Sequence, residues 1–167
     1  AFLRRLHQLN VTLSPVTPAS LDRYLNLWLP LVSASDTTKV LIPPPDVAWL
    51  WHCHRLAPAN YEVYTQQRFG RALEPCPAFA FQEENQEDEA AQTTRAVWRK
   101  ACPQEPFFLD KNKTAVNANE EAHRKCATYN LEGFDLVASS QRQAHFLWQV
   151  SGPRFQDDEF LKEGAYR

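Results

Sequence analysis

Asp46, His52, Cys53, His54 and Arg55 lie close together in the sequence, interleaved with Trp49 and Trp51. Carboxylate, imidazole and thiolate all ligate divalent metals such as zinc, and an imidazole beside a thiol is the usual arrangement of an activated nucleophile. Spacing limits both chemistries. Successive helical residues stand about 100° apart, so on a helix His52 and His54 lie about 200° apart and cannot grip one ion together. For the same reason neither is well placed to deprotonate Cys53. The i, i+4 histidine pair of a helical zinc site is missing. On a strand the two imidazoles would share a face, but the prolines at 43–45 and the length of the segment favour a helix over 46–56. A metal site built on Asp46, His52 or His54 would therefore need ligands from elsewhere, such as His123 or His145.

The structural reading of the same residues is simpler. Trp49 and Trp51 fill the core, and Arg55 holds an acid from the cluster at 83–89. One histidine faces the core, neutral and bonded to a backbone carbonyl or to Asp46, because a buried polar group left unpaired costs ~1–3 kcal/mol. No Gly-x-Ser-x-Gly elbow, glycine-rich phosphate loop or His-Glu-x-x-His motif occurs, so no catalytic residue is assigned.

Helices must position these groups. Residues 46–56 are apolar nearly all round, the mark of a central helix. Ahead of them, Leu21, Tyr24, Leu25, Trp28, Leu31 and Val32 follow the i, i+3, i+4, i+7 template. Thr17-Pro18 forms a start signal there, Ser20 is an alternative cap, and Pro30 predicts a kink near Leu29. Further helices are predicted at 2–9, 60–69 (closed by Gly70), 83–101, 115–129 and 135–150 (capped by Asp135), with a last helical stretch at 157–166. Proline-rich segments separate several of them. Five acids at 83–89 and the cations Arg95, Arg99 and Lys100 at the other end suit the dipole of helix 83–101. The expectation is an all-α, single compact domain of about seven helices over residues 1–167.

Bulk properties narrow the class. With 167 residues, 44% hydrophobic and 12% aromatic, the chain can bury a real core. A net charge of −2 argues against tight binding to a phosphate backbone. No apolar run approaches the ~20 residues of a membrane span. The four cysteines are scattered with no Cys-x-x-Cys pair and read as free thiols, Cys53 above all. Together with the lack of a secretory signal this points to an intracellular, cytoplasmic protein. The first residues begin in mid-pattern, and the chain reads as a fragment of a larger one.

At Pro43, Pro44, Pro45, Asp46, Trp49-Leu50-Trp51-His52-Cys53-His54-Arg55-Leu56, Pro58 and Tyr61 the sequence resembles the hallmark segment of the plant glycine-rich domain-containing proteins. Pro45 stands for the family's usual Leu and Ala57 for its Asn. The resemblance continues in Arg23-Tyr24 with Trp28-Leu29-Pro30-Leu31, in Phe69-Gly70-Arg71, and in Trp98 followed by Pro103 and Glu105-Pro106-Phe107. It reaches Phe134-Asp135-Leu136-Val137, Arg142-Gln143, Phe146 and Gln149-Val150-Ser151. It implies the family's N-terminal helical domain, an intracellular setting linked to stress and hormone responses, and a suggested RNA-binding role. It brings no catalytic residue. Asp46, Trp49, Trp51, His52, Cys53, His54, Arg55 and Tyr61 thus form a motif of unknown role. The first reading is a non-enzymatic interaction or scaffold domain with an unidentified protein partner and no cofactor. The alternatives are a divalent metal site centred on Asp46, His52 and His54, hydrolytic or oxidative, and binding of RNA.

Overall fold

Thr17 caps the first helix as its sequence signal predicts, and Ser20, the alternative, completes the cap. The Thr17 side chain accepts from the Ser20 N–H at 3.1 Å, while the Ser20 hydroxyl accepts from the Thr17 N–H at 3.0 Å. This reciprocal box satisfies two backbone donors that a helix start leaves open. The helix it opens, α1, runs through three consecutive segments, Pro18–Asp22, Arg23–Trp28 and Leu29–Ala34. A computed structural model describes residues 16–35, 41–73, 84–109, 118–129, 131 and 133–150. The helices expected at 2–9 and 157–166 lie outside the described residues, as does Cys76.

Just before the position where a kink is expected, near Leu29, the helix turns irregular, and π-helical turns are a usual place for a helix to bend. Pro30 lacks the N–H that an α-helical turn needs, and the turns before it widen. Through Arg23–Trp28 the helix is π-helical, as in the bond from the Leu29 N–H to the Tyr24 carbonyl. Leu29 itself keeps ordinary helical angles, and α1 continues to Ala34. The widened turns bury Arg23, Tyr24 and Leu25 in succession, together with Trp28.

Pro44 is extended and Pro45 opens α2, Pro45–Arg55, one position before the sequence boundary. Proline suits a helix start because its missing N–H would find no partner there. This helix buries Val47, Ala48, Trp49, Leu50, Trp51, Cys53 and His54, the central role its all-round apolar face predicts. Helix α3, Pro58–Phe69, follows, and Gly70 closes it at φ 74°, a left-handed conformation that favours glycine. Then come α4, Glu84–Ala101, α5, Ala118–Thr128, and α6, Leu136–Val150. Asp135 caps α6 through a 2.9 Å bond from the Ala138 N–H. The described residues form six helices and no strand, so the chain is all-α.

Helix α2 sits in the middle, packed against α1, α3 and α6, while α5 bridges α1 and α6. Three indoles from three helices meet at the centre. Trp28 lies edge-on to Trp51 with ring centres 5.8 Å apart and tilted against Trp98 at 6.4 Å. Each such side chain buries ~150–250 Å². Helix α4 is also held by Thr94, one turn before Trp98 on the same face, whose hydroxyl accepts from the Ile42 N–H at 2.9 Å. No described helix is long and apolar enough to cross a membrane.

Truncating Trp51 to Ala should lower the unfolding free energy by about 3–5 kcal/mol, measured by urea denaturation. A loss under about 1 kcal/mol would mean that the core closes without this indole.

Candidate functional site

The motif segment divides into two clusters, and the first belongs to Asp46. Asp46 stands in the first turn of α2, against the π-helical part of α1 that carries Arg23. The Arg23 side chain is 2% exposed. Its Nε donates to Asp46 Oδ2 at 3.0 Å and its Nη2 to Asp46 Oδ1 at 3.4 Å. The outer nitrogens also donate to the Pro106 carbonyl at 2.5 Å and the Phe107 carbonyl at 2.8 Å. Glu105 lies 3.5 Å from Nη1, and the guanidinium rests over the Trp98 ring at 5.0 Å. Burial raises the Asp46 carboxyl above its ordinary value even though the Arg23 charge and hydrogen bonds pull it down. Both carboxylate oxygens face the guanidinium, Oδ2 closely and Oδ1 at 3.4 Å.

His54 is the centre of the second cluster and is fully buried. Its Nδ1 shares a 2.9 Å hydrogen bond with the Tyr24 hydroxyl. Phe134 stacks on the ring at 5.5 Å, and Tyr61 and Tyr64 stand at 5.1 and 5.4 Å. Burial lowers the imidazole pKa to about 4, and pushes that of Tyr24 up, so both are neutral near pH 7. The buried neutral histidine is as expected, but its partner is not. A tyrosine hydroxyl replaces the backbone carbonyl or Asp46, because Arg23 holds Asp46 at the far end of α2. Nε2 of His54 has no partner among the described residues. Tyr61 closes the cluster: its hydroxyl accepts from Trp51 Nε1 at 2.9 Å and donates to the Leu73 carbonyl at 2.7 Å.

His52 lies half-buried on the other side of α2, beside the Trp49 ring at 5.9 Å. Burial and the Arg55 charge both lower its pKa. Asp46, His52 and His54 therefore do not converge. Among the described residues no three His, Cys, Asp or Glu side chains are grouped to hold an ion. His123, a possible outside ligand, faces Asp135 at 3.3 Å and Gln141 at 3.4 Å on the α5–α6 side. Cys53 is buried and free, and burial pushes its thiol up to about 12. A thiol held in that state is a packing group, since the thiolate is the nucleophile. The acids at 83–89 to which the sequence reading joins Arg55 have no described side chains.

Spacing along the chain could not reveal Arg23 as the partner of Asp46, nor Tyr24 and Phe134 as the walls around His54. The available signal was the set of separate short strings at 23–31, 98–107 and 134–137, which the fold brings onto this one segment.

Two measurements probe these clusters. Arg23→Met should cost about 3–5 kcal/mol in urea denaturation, because it leaves the Asp46 carboxylate unpaired. Arg23→Lys should not restore it, since an ammonium lacks the planar fork; full recovery with Lys would refute the fork geometry. His54 sets a pH dependence. Unfolded, it takes up a proton near pH 6.5, whereas folded it does so only near 4. Between these values the unfolded state binds more protons, so stability is intact above about pH 6.5 and falls steadily as pH drops toward 4. His54→Gln should flatten that part of the melting-temperature profile, and an unchanged slope would assign it to other groups.

The profile of the family described as glycine-rich domain-containing protein-like matches residues 60–167. Two Arabidopsis thaliana proteins are similar along most of the sequence. Glycine-rich domain-containing protein 2 is 35% identical over 159 residues, and glycine-rich domain-containing protein 1 is 33% identical over 161. Each comparison covers 92% of this chain and 19% of the relative, so the chain spans about a fifth of the length of these curated relatives. No solved structure matches.

Proposed function

The chain belongs to the glycine-rich domain-containing protein-like family, and we propose that it is a non-enzymatic interaction or scaffold domain. The observation that carries this reading is the fate of the motif's reactive groups. Asp46 is held by Arg23, His54 is enclosed by four aromatic rings, and Cys53 is buried with its proton retained. Side chains used in this way stabilise a fold and leave binding to the surface.

The surface offers one face of suitable chemistry. Phe108 is 54% exposed at the loop after α4, with Phe107 edge-on to it at 5.1 Å. The Arg95 guanidinium lies over both rings, 6.0 Å from Phe107 and 5.5 Å from Phe108. Aromatic and arginine side chains dominate binding energy at protein interfaces. The same pair is also a stacking platform for single-stranded RNA, a grouping of cation and aromatic that the sequence reading did not find. The net charge of −2 favours the protein partner over RNA.

Phe108→Ser combined with Arg95→Glu should abolish co-purification of the partner captured by the unaltered chain, at an unchanged melting temperature. Capture of the same proteins by both forms would refute the interaction face. A gel shift with single-stranded RNA that weakens with salt and vanishes in the double variant would move the assignment to RNA. Stoichiometric zinc in elemental analysis of the purified chain would restore the metal alternative.

A further inference from the structure

Residues of α1, α3 and the end of α5 border an open cleft of about 380 Å³, lined by Asn26, Tyr64, Gln67, Arg68, Thr128 and Tyr129. Its size falls within the ~300–1,000 Å³ of small-molecule sites. Its lining is mixed: hydroxyls, amides and one guanidinium stand among a somewhat larger share of apolar surface.

The charges around it do not cancel. Asp22, next to the cleft, accepts hydrogen bonds from the Lys125 ammonium, the Tyr129 hydroxyl and Asn26 Nδ2. Burial alone would raise its carboxyl, but these partners hold it below the ordinary value. Lys125 and Asp22 thus neutralise one another. Burial and the Asp22 carboxylate push Tyr129 up to about 12, so it stays neutral. Arg68 is left with its full charge. Its Nη1 donates to the Tyr64 hydroxyl and its Nη2 to Asn26 Oδ1 at 3.0 Å, both neutral acceptors. Among the described residues no carboxylate lies within ion-pair distance of it. The carboxyl end of α3 offers only about half a negative charge, directed along the helix axis.

Arg68, though exposed, is oriented by its neighbours. Asn26 Nδ2 donates to Asp22 at 3.1 Å and to the Tyr129 hydroxyl at 3.0 Å, which turns its amide oxygen toward Arg68. The Tyr64 and Phe69 rings stand 5.8 and 5.5 Å from the guanidinium carbon. Two of the five donors of an arginine are then engaged and the rest remain. An oriented, uncompensated fork with free donors matches the two oxygens of a carboxylate or phosphate.

We propose that this cleft binds a small ligand through an oxyanion, a carboxylate or a phosphate, seated on Arg68, with the Tyr64 hydroxyl and the Gln67 amide available to the rest of the molecule. The test is an NMR titration of the full chain with sodium phosphate in one arm and sodium acetate in the other, at ionic strength held constant with sodium chloride. Saturable shifts should be confined to the Asn26 and Gln67 side-chain amides and the Arg68 Nε–H. Saturation by phosphate alone identifies a phosphate ligand, by acetate alone a carboxylate, and by both a general oxyanion seat. Arg68→Gln should abolish the shifts, Arg68→Lys should weaken binding roughly tenfold through loss of the fork, and Arg95→Gln should change nothing. Shifts that never saturate, that spread over the whole surface, or that persist at Asn26 and Gln67 in Arg68→Gln would overturn the proposal.

Discussion

The guanidinium of Arg23 is the interaction on which the rest of the structure depends. It is buried at the centre of the fold and reaches three separate parts of the chain: Asp46 at the head of α2, the carbonyls of Pro106 and Phe107 after α4, and the Trp98 ring within α4. A buried arginine is tolerable only when nearly every donor is met, because removing one ion from water costs several kcal/mol. Here the partners come from distant segments, so satisfying the charge fixes their mutual placement. The π-helical turns of α1 contribute by directing Arg23, Tyr24 and Leu25 inward in succession. Against well-packed apolar residues such an ion pair gains little net stability. Its effect is to make any other arrangement of these segments costly.

Once Arg23 has placed α1 against α2, the second cluster follows. Tyr24 is the next residue, and its hydroxyl reaches His54 near the far end of α2. The imidazole sits among Phe134 from the start of α6 and Tyr61 and Tyr64 from α3. A histidine in this apolar box cannot hold a proton near neutrality, and it has no route to solvent. Burial likewise keeps the Cys53 thiol protonated. Two neighbouring residues whose types could do chemistry, Cys53 and His54, are both buried in the core.

The surface is organised on different terms. Arg95 lies over two phenylalanine rings, while Arg68 is steered by neutral acceptors. In both places an arginine that could have met a carboxylate lies against aromatic rings instead.

Much of the fold was legible in the sequence. The periodicity of Leu21 to Val32, the all-round apolar face of 46–56, the Thr17 and Asp135 caps and the Gly70 stop are local properties, governed by backbone bonds within a few residues. They recur in the structure at nearly the same positions. The angular separation of His52 and His54 was legible too, since helical geometry alone sets it. Proline at 30 told where α1 would depart from regularity but not that the turns before it would widen, since the missing donor alone does not set the geometry of the preceding turns. The partners of the motif were not legible. Arg23 and Asp46, or His54 and Phe134, are separated by long stretches of chain, and no periodicity relates them. Tertiary structure decided that Asp46 would hold a guanidinium and that His54 would be walled by aromatic rings, because only packing sets which groups must satisfy one another out of water.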